Sequence, residues 1–270
     1  MCNGSTLVKN STPIMRYMDY SKFNSLLESS QIYMNGILNF HTKDQDLLEG
    51  EIPDSNKMAS RGQFLKLEFH GVIEEISDNP EKKIKAVNFA EHFVCINCWT
   101  ISKKENKRMW QNYAKDKNSV IIKSSVGRLR KAIAKGIRHV IIDKIKYVSY
   151  SIYVHTNPNP FSYCFLKDRG KFEWENELRM LVVCLDDDST NKRLLSWKTL
   201  DEYYAIDFTK EKGIDHIMVD CDINELIEEV IVSPFCDNNF KNMLVEKLEN
   251  LGIKAIVSNS VYDKEIFVDS

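Results

Sequence analysis

The chain is 270 residues long, 43% hydrophobic and 28% charged, with a formal net charge of −2. This is the make-up of a well-buried globular domain and excludes disordered or fibrous classes. No apolar run approaches bilayer-spanning length, the N-terminal stretch lacks a signal-peptide core, and seven cysteines without framework spacing predict a reducing, cytoplasmic setting with no membrane association.

Residues 1–12 are polar and predict a loosely ordered N-terminus, with residues 13–270 forming a single domain. After Pro13, IMRYMD reads as a short strand carrying Arg16 and Tyr17. Asp19 or Ser21 can cap the helix that follows, in which Phe23, Leu26 and Leu27 share a face. Residues 32–34 read as a second strand, and 39–56 as a loop with a helical turn at 46–48. Residues 59–77 and 81–92 space apolar positions among charges and predict two helices. FVCINCWTIS, residues 93–102, is rich in β-formers and predicts a central strand.

Next, KENKRMWQNYAKD predicts a helix with Met109, Trp110 and Tyr113 on its buried side, and SVIIKSS a strand. Residues 127–136 read as a basic helix, 139–151 as strand-rich, and TNPNPFSY, with Pro158 and Pro160, as an irregular loop. Past the acidic turn LDDDST come a strand at 217–219, a helical turn at 224–226 and a strand in EEVIVSP. An amphipathic helix at 240–251, with Gly252 as its C-cap, leads to a closing strand in IKAIVS. Strands and helices alternate irregularly, which predicts an α+β fold: a mixed, mostly antiparallel sheet flanked by helices.

Charge is uneven. Residues 101–150 hold 14 Lys and Arg against 3 Asp and Glu, while the remainder holds 23 against 36. Such a segment suits an anionic partner, or basic and acidic faces that offset one another within one domain.

The chemistry-bearing stretch is FLKDRGKFEWENELRMLVV, residues 165–183. In an extended chain Glu175, Glu177 and Arg179 share one side, and Trp174, Leu178, Met180 and Val182 the other. Paired carboxylates there can serve sugar-centred or metal-centred chemistry, or form an ordinary ion-paired surface. A helix with Glu175 and Arg179 paired four apart is the competing local form, but the adjacent valines favour a strand. Cys95 and Cys98 lack the second pair of ligands that zinc needs, and on a strand they face opposite sides. Thr100 and Ser102 share a face, as local caps or as ligand contacts. The six histidines are dispersed, none at H-x-x-x-H spacing, and the absence of glycine-rich phosphate loops excludes Rossmann and P-loop nucleotide sites.

Several pieces together resemble a bacterial family of unassigned function. They are Arg16-Tyr17, Leu26-Leu27, Phe40 with Asp46 and Glu49-Gly50, Cys98-Trp99-Thr100, Met109-Trp110 with Tyr113, Lys167 with Trp174-Glu175-Asn176-Glu177 and Arg179, and Glu229-Val230-Ile231. The M-W-x-x-Y and W-x-E-x-E-x-R pieces are the specific ones. Ser233 stands where glycine is usual before the proline. More distantly, Arg16, then Trp99-Thr100-x-Ser102, then Glu175-x-Glu177 is similar to the arginine–serine–glutamate pattern of ADP-ribosyltransferases.

That second resemblance implies an ADP-ribosyltransferase-like fold and an NAD-consuming enzyme. Glu177 would stabilise the oxocarbenium-like ribose left by nicotinamide, and Glu175 would position or activate the acceptor. Arg16, with Tyr17 beside it, would hold phosphate. Thr100 and Ser102 would shape the nicotinamide pocket, with Trp110 and Tyr113 lining it or packing beneath it. The acceptor would be nucleic acid or protein, and the setting a toxin or phage-defence effector with a neutralising antitoxin as partner. Two rivals stay open: a metal-dependent nuclease using Asp168, Glu175 and Glu177 on magnesium, and a non-catalytic binding module.

Overall fold

A computed structural model describes residues 8–41, 50, 52–53, 65–69, 72–76, 79–114, 116–134, 140–153, 159–185 and 192–262. Its centre is β5 (Val94–Ile101), a strand buried along most of both faces, as its run of apolar and β-branched residues requires. Along one edge β5 pairs antiparallel with β10 (Glu177–Val183), from Glu177 opposite Thr100 to Val183 opposite Val94. The outer edge of β10 pairs with β7 (Val140–Lys144).

The other edge of β5 is shared by two strands. β1 (Pro13–Asp19) pairs with its end, Ile14 opposite Ile101 and Met15 opposite Thr100. β2 (Gln31–Gly36) pairs with its start, Asn35 opposite Ile96 and Gly36 opposite Cys95. Between those two ladders the strands fork. Gly36 is needed at the joint, because a Cβ there would meet the Ile214 carbonyl oxygen at 1.8 Å. From β1 the sheet continues through β6 (Ser119–Ser125), β12 (Glu229–Val232) and β13 (Ile256–Asn259), and from β2 to β11 (His216–Asp220). Every pairing in this sheet is antiparallel except β12 with β13.

The sheet is mixed, mostly antiparallel and flanked by helices, so the α+β expectation holds. One large core joins Cys95, Trp99, Leu178, Met180 and Val182 to Phe23, Leu26 and Leu27 of α1 (Tyr20–Ser29) and to Ala86, Val87 and Phe89 of α2 (Pro80–Glu91). Asn79 caps α2 by accepting from the Glu81 and Lys82 amides at 2.9 and 3.1 Å, ahead of Pro80 in the first turn. The short α3 (Lys107–Tyr113) is capped by Asn106 and covers a second cluster of Met15, Tyr17, Met109, Trp110, Ile121 and Ile231.

One helix expected at residues 59–77 is corrected. Leu65–Phe69 and Val72–Ile76 are strands β3 and β4, paired antiparallel. LKLEF alternates apolar and charged residues at period two, and VIEEI opens on two β-branched residues, so local pattern and pairing agree. The proline-rich loop is also partly regular: Pro160–Phe165 is a 3-10 helix, capped by Asn159 accepting from the Phe161 amide at 3.0 Å. The helical turn expected at 46–48, with Asp46 and Glu49, lies outside the described residues.

Two arginines of the basic segment are engaged internally. In α4 (Val126–Ala132), Arg128 donates to the Asn224 and Ile227 carbonyls at 2.7 and 3.1 Å. Arg130 donates to the Val8 carbonyl at 2.9 Å and to Asn10 Oδ1 at 2.6 Å, which ties residues 8–12 to the helix.

Candidate active site

Two short elements build the site beside the end of β5. β8 (Lys146–Val148) pairs in parallel with β9 (Leu166–Asp168), setting Lys167 opposite Tyr147. Asp168 then caps the turn Arg169–Phe172 by accepting from the Lys171 amide at 3.0 Å. Glu173–Glu175 form a 3-10 turn, and Asn176 takes the left-handed conformation at φ 45°. Asparagine tolerates that region better than most residues. Here its side chain also donates to the Ile101 carbonyl at 2.7 Å, and its carbonyl accepts from the Ile101 amide at 2.9 Å.

This corrects one expectation. Glu175 is not on the strand, and Glu177 is its first residue. The left-handed turn at Asn176, not strand alternation, brings the two carboxylates together.

They converge on one ammonium. Lys167 Nζ lies 2.9 Å from Glu175 Oε2 and 2.8 Å from Glu177 Oε2. Arg179, fully buried, donates from Nε to Glu177 Oε1 at 2.8 Å, and its Nη2 is at the same distance from that oxygen. Its Nη1 donates to the Cys164 carbonyl. Tyr113 donates its hydroxyl to Glu175 Oε1, and Tyr147 Oη accepts from the Glu177 amide at 2.7 Å. Two carboxylates therefore meet two cations, with both glutamates 4% exposed.

Burial pushes the Glu177 carboxyl up, but Arg179 and then Lys167 outweigh it and hold it well below the ordinary carboxylate range. Burial and the neighbouring carboxylates push the Cys98 thiol and the Tyr113 and Tyr147 hydroxyls up, so these stay protonated at neutral pH.

Arg16 stands apart from this cluster. It is the first residue of β1 beyond the β1–β5 ladder, at the opening of the fork. Among the described residues its guanidinium makes no hydrogen bond or ion pair. Burial lowers its pKa to about 10, with Cys98 opposing. A half-buried guanidinium without an anion is costly in a protein, and it is suited to receive one.

The other expected site residues are placed as follows. Thr100 lies directly across from Glu177 and donates its hydroxyl to Met109 Sδ at 3.7 Å. Ser102 closes a local turn, donating to the Lys104 carbonyl at 2.6 Å and accepting from the Lys104 amide at 3.0 Å. Tyr17 and Trp110 pack edge to face at 5.2 Å inside the second cluster. There Tyr17 Oη accepts from the Asn106 amide at 2.8 Å, and Trp110 Nε1 donates to Glu105 Oε2 at 2.8 Å. Sequence reasoning had Lys167 only as part of a motif. The available signal was a lysine inside the apolar run CFLKD.

No protein-family model and no curated protein matches the chain. Among solved structures it aligns with DarT of Thermus sp. 2.9 in complex with carba-NAD+, over 94% of this chain and 97% of that one, at 10% identity and a TM-score of 0.33. So loose a likeness does not define the fold. The strand ladders do that, and they describe an α+β protein with a buried four-charge cluster beside a forked central strand.

Proposed function

We propose that this chain is an NAD-consuming, ADP-ribosyltransferase-like enzyme. Glu177 stabilises the ribosyl cation as nicotinamide leaves, Glu175 positions or activates the acceptor, and Arg16 receives the pyrophosphate. The observation that carries this reading is Arg16: its guanidinium has no hydrogen-bond or ion-pair partner among the described residues, and it stands at the strand fork one residue beyond Met15, which pairs with Thr100 opposite Glu177. A carboxylate already ionised in protein surroundings suits a developing cation, because it needs no proton loss or solvent rearrangement during the reaction. The W-x-E-x-E-x-R and arginine–serine–glutamate resemblances point the same way. The acceptor is nucleic acid or protein, and a toxin or defence role in the cytoplasm, with an antitoxin as partner, follows from the same resemblance.

The test is release of free nicotinamide from NAD by the pure protein, with and without cell extract. Wild type turns over, while Glu177→Gln and Arg16→Ala fall to background. Equal release by wild type and Glu177→Gln sinks the reading.

One observation favours a second reading, in which the cluster is a structural ion-pair ladder: both Glu177 oxygens already have cationic partners. Under it, Glu177→Gln lowers thermal stability and there is no turnover to lose. The magnesium-nuclease reading is weaker. Lys167 already bridges the carboxylates that would hold the metal, and Asp168 Oδ1 is engaged as a helix cap.

A further inference from the structure

Lys167 has no place in an arginine–serine–glutamate site, yet it is the only described group that touches both carboxylates. Its side chain is 9% exposed, rises from the short strand β9, and has the Phe172 ring 5.0 Å from its ammonium. Three walls fix it: the pairing of β9 with β8, the Phe172 ring, and the two glutamates themselves. Glu175 and Glu177 come from different backbone environments, a 3-10 turn and a strand, separated by the left-handed Asn176. Nothing in the backbone alone obliges two buried anions to stay side by side. Both carboxylates lie within 2.9 Å of one ammonium and are 4% exposed, so repulsion between like charges there is weakly screened.

We propose that Lys167 is a positioning residue of this site: its ammonium bridges Glu175 and Glu177, sets their separation and supports the charge of Glu177. The inference rests on the reading above for its catalytic meaning, but not for its electrostatic content. Among the described residues the groups facing Glu177 are Lys167 from β9, Arg179 from its own strand, Cys98 from β5, Tyr147 from β8, and Glu175 with Tyr113 behind it. Lys167 and Arg179 are the cations among them. Removing Lys167 leaves two carboxylates on one guanidinium. Removing Lys167 and Glu175 together restores a one-to-one pair, Glu177 with Arg179.

The charge balance sets the experiment. Nicotinamide release without added acceptor, which reads Glu177 and not acceptor activation, is followed against pH for wild type, Lys167→Met, Lys167→Arg and Lys167→Met/Glu175→Gln. In parallel, carboxyl NMR follows the Glu177 titration in each folded variant. Lys167→Met is expected to move the acid limb and the Glu177 titration upward by about one to three pH units. Lys167→Arg retains most of the wild-type profile, and the double variant returns the Glu177 titration toward wild type. If Lys167→Met does not fold, the double variant still decides, since a merely structural lysine leaves it as damaged as the single one. A Glu177 titration unmoved in Lys167→Met, or unrestored in the double variant, overturns the proposal. Absence of turnover in wild type instead overturns the enzymatic reading and leaves the titration result standing.

Discussion

Arg179 grips one oxygen of Glu177 with two nitrogens, Nε and Nη2, each 2.8 Å away, from two positions along the same strand. The pair is buried between β5 and the short β8–β9 sheet, so neither partner can turn to water if the other is removed. Glu177→Gln is therefore expected to lose about 3 kcal/mol of stability, as for other broken buried ion pairs. In a chain of this size that lowers Tm by on the order of 10 °C, measurable by scanning calorimetry. Any activity comparison on this variant belongs at a temperature where it is folded.

The same pair sets a pH dependence. The folded-state pKa of Glu177 is depressed by Arg179 and Lys167 despite burial. Its stabilising contribution is complete above the unfolded carboxyl pKa of about 4.3 and is lost as pH falls through the lower folded value. The Tm advantage of wild type over Glu177→Gln should stay level from neutral pH to about 5 and shrink below about 4. An advantage that grows on acidification would contradict the ion-pair geometry.

Arg16 predicts the opposite separation of stability and function. Because its guanidinium has no partner among the described residues, Arg16→Met removes a desolvated charge and breaks no bond seen there, so Tm should hold or rise slightly. If pyrophosphate binds there, the same change weakens NAD binding by roughly tenfold or more, the worth of a charge-assisted contact. Calorimetric titration with NAD reads this directly, and a large loss of Tm with unchanged affinity would reverse the assignment.

Glu105 ties the segment after β13 to the loop before α3. It accepts from Trp110 Nε1 at 2.8 Å, Ser260 Oγ at 2.5 Å and the Val261 amide at 2.8 Å, while Tyr262 donates to its backbone carbonyl at 3.2 Å. Glu105→Ala leaves the buried indole N–H without its acceptor and is expected to lose about 2 kcal/mol. Urea unfolding should show the lower midpoint. Glu105→Gln, which keeps an acceptor for the indole, should recover part of the difference.

Residue type was enough to find β5 and β6, whose β-branched runs have no competing helical pattern, and the adjacent valines decided β10 against its helical alternative. Period two also put Glu177 and Arg179 on the side opposite Leu178, Met180 and Val182, as the strand clusters do. The strand pair Leu65–Phe69 and Val72–Ile76 was hidden because the apolar residues Leu65, Phe69, Val72 and Ile76 also satisfy a helical spacing. Glu175 reaches its neighbour by a route that alternation could not reveal, the positive φ of Asn176. Order along the chain could not reveal that local turn geometry engages Ser102 and that Tyr17 and Trp110 pack in a core cluster with their polar atoms hydrogen-bonded.

By itself the sequence determined most of the element types, the α+β class and the sidedness of Glu177 and Arg179, because these depend on side-chain volume, branching and periodicity over a few residues. Only the tertiary structure decided that β1 and β2 share one edge of β5 and leave Arg16 at a fork. It alone decided that Lys167, eight and ten residues before the glutamates, stands between them. Those facts come from pairings between distant segments, where the burial of charge is settled by which partner the fold delivers and not by neighbours along the chain.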